Sequence, residues 1–172
     1  MTRVATLLVL VLPAVACGQP AAEAYAPKGG NFSVRFAGPV KELSQTAPSP
    51  IGDLKVVSAA YATADGNVFL TSYVDFPAEA TKAEKRGSLL DGARDGIKGK
   101  DGKVISDKDT EFGVGKLPGR EFEIEKGKQR LRFRLILRDD RLYQVAVIGS
   151  AAFVGGKEAI AFIESFELTP VK

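Results

Sequence analysis

The chain lacks several of the residues on which enzyme sites depend. Its 172 residues include no histidine and no tryptophan, and they include one cysteine and one methionine. Without histidine the chain has neither the commonest general base nor the commonest zinc ligand. The lone cysteine, Cys17, cannot form a disulfide within the chain or a cluster of thiolates around a metal ion. The fold must therefore be stabilised by packing and hydrogen bonds.

Other absences narrow the function further. The formal net charge is only +3, and no stripe of Lys and Arg with interleaved aromatic residues occurs, so we predict no nucleic-acid partner. The nucleophile-elbow pattern Gly-x-Ser-x-Gly and the phosphate-binding pattern Gly-x-x-x-x-Gly-Lys-[Ser/Thr] are both missing. We therefore predict no catalytic residue, no metal ligand and no cofactor. A hydrolase that uses Ser and Lys, or a carboxylate pair, stays open as an alternative.

The N-terminus has the organisation of an export signal. A basic start at Arg3 precedes an apolar run over residues 4–12, which is too short to span a bilayer and ends at Pro13. Small residues, Ala14 and Ala16, then lead directly to Cys17. This segment resembles a bacterial lipobox, although Ala14 stands where Leu is usual. The resemblance implies that the thiol of Cys17 carries a lipid anchor on the mature protein.

A second cleavage point gives a different location. Ala22 and Ala24 fit the small-x-small rule of ordinary signal peptides, and cleavage after Ala24 would remove Cys17 and release a soluble secreted or periplasmic protein. If Cys17 is instead the lipid-attachment residue, the predicted organisation is a signal peptide over 1–16, a flexible tether over 17–30 that is rich in Ala, Pro and Gly, and a single domain over 31–169. Roughly 155 residues remain after the signal, which is a common domain size.

The domain is predicted to be α+β, with the order ββββαββββα. Alternating apolar residues and turn signals predict strands over 32–36, 40–46, 54–63 and 67–75, then 103–112, 120–126, 129–138 and 142–149. A helix is predicted to begin at Pro77 and to bury an apolar stripe that runs to Ile97. A final helix over Lys157–Glu164 is predicted to bury Ala159, Phe162, Ile163 and Phe166. Leu117-Pro118-Gly119-Arg120 is typical of a type II turn.

One hairpin has a predicted register. A two-residue turn at Gly127-Lys128 places three glutamates opposite three arginines on one face, as Glu121–Arg134, Glu123–Arg132 and Glu125–Arg130. The other face then pairs Phe122 with Phe133 and Ile124 with Leu131. Because the glutamates neutralise the arginines, we interpret this row as a solvated sheet face and not as an anion site.

Two clusters of acidic residues and the tyrosines are interpreted as structural and not as binding sites. Asp107, Asp109 and Glu111 lie on one side of a predicted strand, and because they do not fit the calcium-loop pattern we interpret them as a solvated strand face. Asp91, Asp95 and Asp101 surround the end of the first long helix, where Asp-Gly steps are typical of turns. Four tyrosines, Tyr25, Tyr61, Tyr73 and Tyr143, are explained by core packing.

The order of elements and several short motifs resemble the PsbP-like family. The motifs are Gly115-x-x-Pro-Gly119-Arg-Glu121, Arg141-Leu-Tyr143 and Phe162-Ile-Glu-Ser-Phe166-Glu-Leu168. Members are small exported or lipid-anchored α+β domains that share the fold of the extrinsic PsbP protein of photosystem II. The resemblance implies a curved antiparallel sheet with helices packed on it and an accessory or binding role. It carries over no catalytic or metal-binding residue.

The sequence therefore predicts a non-catalytic lipoprotein of the bacterial cell envelope. Its domain is expected to act at the membrane surface as a binding or assembly module, with an envelope protein or a small ligand as its partner. Two alternatives are a small secreted hydrolase and a purely structural envelope protein.

Overall fold

The computed structural model describes residues 24–49 and 51–170. Nine strands and three α-helices follow one another in these residues: β1 (Phe32–Ser33), β2 (Lys41–Ala47), β3 (Leu54–Ala62), β4 (Val68–Asp75), α1 (Arg86–Lys98), β5 (Lys103–Phe112), β6 (Leu117–Lys126), β7 (Gln129–Arg138), β8 (Arg141–Gly149), α2 (Ala151–Val154), α3 (Lys157–Glu164) and β9 (Glu167–Leu168). Two short 3₁₀ turns, Ala78–Ala80 and Ala83–Lys85, lead into α1.

Seven strands form one antiparallel sheet. Their order across the sheet is β2-β3-β4-β8-β7-β6-β5, while β1 and β9 form a separate two-stranded sheet. Central strands such as β8 are buried on both faces, so their sequence is nearly continuously apolar. Helix α1 packs on one face of the sheet, called the α1 face here. Helices α2 and α3, together with β1, pack on the other, the α2–α3 face.

Each face has its own apolar core. On the α2–α3 face, Phe32 stacks on Phe166 with ring centroids 5.2 Å apart, and Phe69 meets Phe162 edge to face at 5.0 Å. On the α1 face, Phe122 stacks on Phe133 at 5.4 Å beneath the buried Leu90 of the helix. Alternate residues of each strand supply the two cores, because successive side chains of a strand point to opposite faces of the sheet.

The α+β architecture is confirmed, and so is most of the strand pattern. Strands β5 and β7 and helix α3 begin and end at the predicted residues. The predicted hairpin register is also confirmed, because Glu121, Glu123 and Glu125 face Arg134, Arg132 and Arg130 across β6 and β7. Helix α3 buries Ala159, Phe162 and Ile163, and the following Phe166 is buried as well. The short α2 and β9 were not predicted.

The predicted start of the first long helix is wrong. Pro77 begins a 3₁₀ turn, and the α-helix starts only at Arg86. Between them, Lys82 is extended, with φ −51° and ψ 147°. The cause is Thr81, which is buried and donates its hydroxyl hydrogen to Asp140 in the β7–β8 turn, so the chain is fixed before a helix can form.

The turn predicted at Pro118 and Gly119 is also wrong. Both residues lie inside β6, opposite Glu111 and Thr110 of β5. The actual turn precedes them, where Gly113 and Lys116 have positive φ angles of 67° and 46°. Glycine is needed at position 119 because a Cβ atom there would lie 2.6 Å from the carbonyl oxygen of Leu135 on β7.

The chain that precedes β1 lies against the domain. Tyr25 forms an antiparallel bridge with Val34 and packs edge to face on Phe36 at 5.6 Å. Arg141, which binds Asp75 at 2.7 Å, also donates to the carbonyl oxygen of Gly30. Residues 24–30 of the predicted tether 17–30 are therefore part of the packed domain. The predicted signal peptide 1–16 and the predicted lipid-attachment residue Cys17 lie outside the described residues.

Candidate functional site: a groove beside helix α1

An open groove with a volume of about 810 Å³ lies between α1 and the strands β3 and β4. Its lining is mainly apolar, and its few polar groups lie among Ser49, Glu79, Lys85 and Ser88. The full lining comprises Ser49, Ile51, Leu54, Phe76, Pro77, Glu79, Ala80, Lys85, Ser88, Leu89, Gly92 and Ala93. Ligand sites commonly have this character, with roughly 300–1,000 Å³ of mainly apolar volume and a few polar groups.

One wall of the groove is a stripe along α1. Lys85, directly before the helix, and Ser88, Leu89, Gly92 and Ala93 within it follow at intervals of three and four residues, so they lie on one side of α1. Four of these five residues are small or apolar. At Gly92 an added Cβ atom would meet nothing within 4 Å, so the groove is open at the middle of this wall.

The floor and the opposite wall come from the sheet and a loop. The β3–β4 register that pairs Val56 with Val74 brings Leu54 beside Phe76, and their side chains cover the end of the sheet. The loop after β2 supplies Ile51, which is 48 % exposed. Within this loop, the hydroxyl of Ser49 donates to the carbonyl oxygen of Gly52 at 2.6 Å.

The other flank of α1 is attached to the sheet by ion pairs. Arg94 binds Asp107 of β5, and Arg120 of β6 binds both Asp107, at 2.6 Å, and Asp91 of α1. Burial alone would raise the pKa of Asp107, but the hydrogen bonds from Arg120 and Arg94 outweigh it and hold that pKa below its ordinary value. These contacts position α1 over β5 and β6 and leave its other side facing the groove.

Charged side chains lie at the end of the groove where α1 begins. Glu79 binds Lys82 at 2.8 Å and Lys85 at the longer distance of 3.5 Å. The hydrogen bond from Lys82, with help from Lys85, lowers the pKa of Glu79. Two ammonium groups therefore share one carboxylate at this end, and the groove becomes apolar further along the helix.

The groove contains no arrangement that is typical of an enzyme. Ser88 and Lys85 both line it, but no hydrogen bond joins a serine to a lysine side chain among residues 24–49 and 51–170. In that same part of the chain, no three His, Cys, Asp or Glu side chains are placed to hold a metal ion.

The acidic residues that the sequence singled out have structural partners. Asp107 and Asp91 belong to the ion pairs described above, and Arg94 also binds Asp95 at 3.0 Å. Asp109 on the same strand is 85 % exposed, at 3.8 Å from Arg120. Asp107 was expected on a solvated strand face, and it lies instead at the contact between α1 and the sheet. Its partner arginines come from distant parts of the chain, so spacing alone could not indicate them.

The row of arginines and glutamates is less exposed than expected. The side chains of Arg134 and Glu121 are 19 % and 16 % exposed and lie 2.7 Å apart, and Arg134 also donates to the carbonyl oxygen of Ile163 in α3. Arg132 and Glu123, by contrast, are 3.9 Å apart. The row therefore helps to attach α3 to the sheet, and every arginine in it has a glutamate beside it.

The tyrosines do not line the groove. Tyr25, Tyr61, Tyr73 and Tyr143 all pack in the core of the α2–α3 face, on the opposite side of the sheet. The sequence pattern did not indicate the groove, whose aromatic lining residue is Phe76. One signal was present, since α1 contains three glycines, Gly87, Gly92 and Gly96, in a helix of only 13 residues. Glycines weaken a helix, so several of them in one helix call for a packing or functional reason.

Comparison with known proteins bears on the fold. No protein-family model matches the chain, and no curated protein sequence matches it. Among solved structures, the solution structure of cyanobacterial PsbP (CyanoP) from Synechocystis sp. PCC 6803 is similar, with a TM-score of 0.56 over 92 % of this chain and 98 % of that one. The fold is PsbP-like. Because the sequence identity is 10 %, this PsbP-like likeness concerns the fold alone.

A second solved structure is less similar. It is the crystal structure of PA94 from Pseudomonas aeruginosa, a protein of unknown function, with a TM-score of 0.43 and 12 % identity over 87 % of this chain and 97 % of that one. In the described residues of this chain, no helix is both long and apolar enough to cross a bilayer.

Proposed function

We propose that this protein is a non-catalytic binding module of the bacterial cell envelope and that the groove beside α1 is its ligand site. The observation that carries the proposal is the groove itself, with about 810 Å³ of mainly apolar volume bounded by Leu54, Phe76 and Leu89. A ligand that fills such a site gains about 25 cal/mol for each Å² of apolar surface removed from water. Part of this gain is offset by the cost of association.

The location at a membrane is proposed from the N-terminal pattern. The lipobox-like segment that ends at Cys17 supports attachment of the mature chain through a lipid. The residues from Gly18 to Ala24 would then reach at most roughly 24 Å when fully extended, so the domain would stay close to the membrane surface. A groove for apolar ligands is useful in that position because membrane components are within reach.

A hydrolase is the second candidate, and the presence of Ser88 and Lys85 in one groove is the observation that favours it. Activation of Ser88 by Lys85 would require a hydrogen bond between the two side chains. The ammonium group of Lys85 lies instead 3.5 Å from Glu79. We therefore expect the wild type and Ser88→Ala alike to hydrolyse model esters at the rate of buffer alone.

The test of the proposal is native mass spectrometry of the mature protein, extracted gently from the membranes of its own host. We expect a bound molecule on the wild type and its loss from Gly92→Leu, which fills the open middle of the groove wall. The matched control is Gly87→Leu, which adds the same side chain to the same helix about 140° around its axis from Gly92. An added Cβ atom at Gly87 also meets nothing within 4 Å.

Two results would count against the binding proposal. A protein without any bound molecule would favour the purely structural alternative. Equal retention of a ligand by Gly92→Leu and by the wild type would place binding outside the groove. The same spectra report the N-terminus, since a diacylglycerol on Cys17 and a free Tyr25 exclude each other, so they also decide between the lipid-anchored and the soluble form.

A further inference from the structure

We infer that the groove beside α1 binds a fatty acid, with the acyl chain along the helix and the carboxylate at Lys85. This inference rests on the proposed function and names the ligand class for the same site. It is drawn from three features of the groove: its length, the distribution of its charges and its volume.

The α1 wall of the groove carries its polar groups at one end. Its α1 wall runs from Lys85 to Ala93, which corresponds to about 12 Å along the helix axis. Lys85 and Ser88 lie within the first turn of this wall, and Leu89, Gly92 and Ala93 follow. A ligand that matches this pattern has one small polar end and an apolar chain.

The charges at the entrance favour an anionic end. Glu79 has two cationic partners, and Lys82 is the closer, at 2.8 Å against 3.5 Å for Lys85. A ligand carboxylate can therefore take Lys85 as its partner while Glu79 stays paired with Lys82. Among the described lining residues Lys85 is the one cation and Ser88 adds one hydroxyl, so the entrance offers donors for a single carboxylate.

The size of the groove is compatible with an acyl chain. The groove holds about 810 Å³, within the range of roughly 300–1,000 Å³ that is common for small-molecule sites. An acyl chain is also narrower than an α-helix, which with its side chains is about 10 Å or more across.

Calorimetric titration of the mature protein with saturated fatty acids tests this inference. From octanoate to laurate, affinity should rise two- to fourfold with each added methylene, because burial of a methylene contributes about that factor. The rise should stop once the chain exceeds the groove. Laurate should bind at least fivefold more tightly than dodecanol, and Lys85→Gln should abolish this difference. Lys116→Gln, a change of an exposed lysine outside the groove, should preserve it.

A further substitution is expected to raise the affinity for laurate. Glu79→Gln removes the carboxylate that competes for Lys85, so laurate should bind two- to fivefold more tightly to it than to the wild type. Equal binding of laurate and dodecanol, or a tighter complex with lauroyl-lysophosphatidylglycerol than with laurate, would overturn the fatty-acid assignment.

The two proposals fail in different ways. If dodecanol binds as well as laurate and Gly92→Leu abolishes both complexes, the groove is a ligand site and only the fatty-acid assignment is wrong. If laurate binds equally to the wild type and to Gly92→Leu, the groove is not its site and the fatty-acid assignment is wrong. If the copurified ligand is also retained equally by Gly92→Leu, the proposed function is contradicted as well.

Discussion

Arg120 on strand β6 donates a hydrogen bond to the carboxylate of Asp91 on helix α1, which joins the helix to the edge of the sheet that lies away from the groove. The side chain of Arg120 is 14 % exposed and also binds Asp107 at 2.6 Å. These contacts lie on one flank of α1, and the flank that carries Ser88 and Gly92 borders the groove.

The substitution Asp107→Asn should destabilise the domain by about 2 kcal/mol, because it removes the carboxylate shared by Arg94 and Arg120. Urea denaturation at neutral pH measures the free energy of unfolding. The control is Asp109→Asn on the same strand, whose side chain is 85 % exposed and 3.8 Å from Arg120. Its effect should be within about 0.5 kcal/mol of zero. Equal effects of the two substitutions would contradict the role assigned to Asp107.

The contribution of Asp107 should depend on pH. Its pKa in the folded state is lower than the value of about 3.9 expected for the unfolded chain. A lowered pKa stabilises the fold above the unfolded-state pKa, and this stabilisation is lost as the pH falls through the folded-state pKa. The difference in unfolding free energy between the wild type and Asp107→Asn should be complete at pH 7 and should shrink below about pH 4. A difference that grows on acidification would contradict this sign.

The charge row on β6 and β7 should contain coupled and uncoupled pairs. Glu121 and Arg134 lie 2.7 Å apart and are largely shielded from water, so a double-mutant cycle with Gln and Met should give a coupling of about 1 kcal/mol. Glu123 and Arg132 are 3.9 Å apart, and the same cycle there should give a coupling below about 0.5 kcal/mol. A larger coupling for the second pair would show that distance and burial do not rank these interactions.

Two glycines should respond oppositely to alanine. Gly92→Ala should stabilise the domain by up to about 1 kcal/mol, because alanine favours the helix and its Cβ atom meets nothing within 4 Å. Gly119→Ala should destabilise it, because the new Cβ atom would lie 2.6 Å from the carbonyl oxygen of Leu135. Thermal unfolding of the two variants checks both signs. A stabilised Gly119→Ala would mean that β6 and β7 can separate without loss.

The sheet could be predicted from the sequence because its information is local. Alternation and turn residues determined β5 and β7, and complementary charges and aromatic residues determined the β6–β7 register around Glu123 and Arg132. Contacts between distant segments could not be predicted in this way. Thr81 delays the start of α1 through a hydrogen bond to Asp140, which is 59 residues away. Pro118 lies within a strand because its partner there is Glu111 of β5.

The groove could not be predicted for a related reason. It is a space between α1, the β3–β4 pair and the loop that contains Ile51, so no single segment encodes it. The apolar stripe of α1 was predicted, but an apolar side chain that borders a groove has the same periodicity as one that fills a core. Only the placement of the helix, which depends on Arg94 and Arg120, separates the two cases.

The central claim, that the groove beside α1 is a ligand site, is tested most directly by mapping amide chemical shifts with laurate as the probe. The account predicts saturable shifts at Ser88, Gly92 and Ala93 on the helix and at Leu54 and Phe76 on the sheet, and their absence in Gly92→Leu. Two results would contradict the claim. One is a set of shifts confined to the α2–α3 face. The other is the absence of shifts at saturating laurate together with a different ligand that copurifies equally with the wild type and with Gly92→Leu.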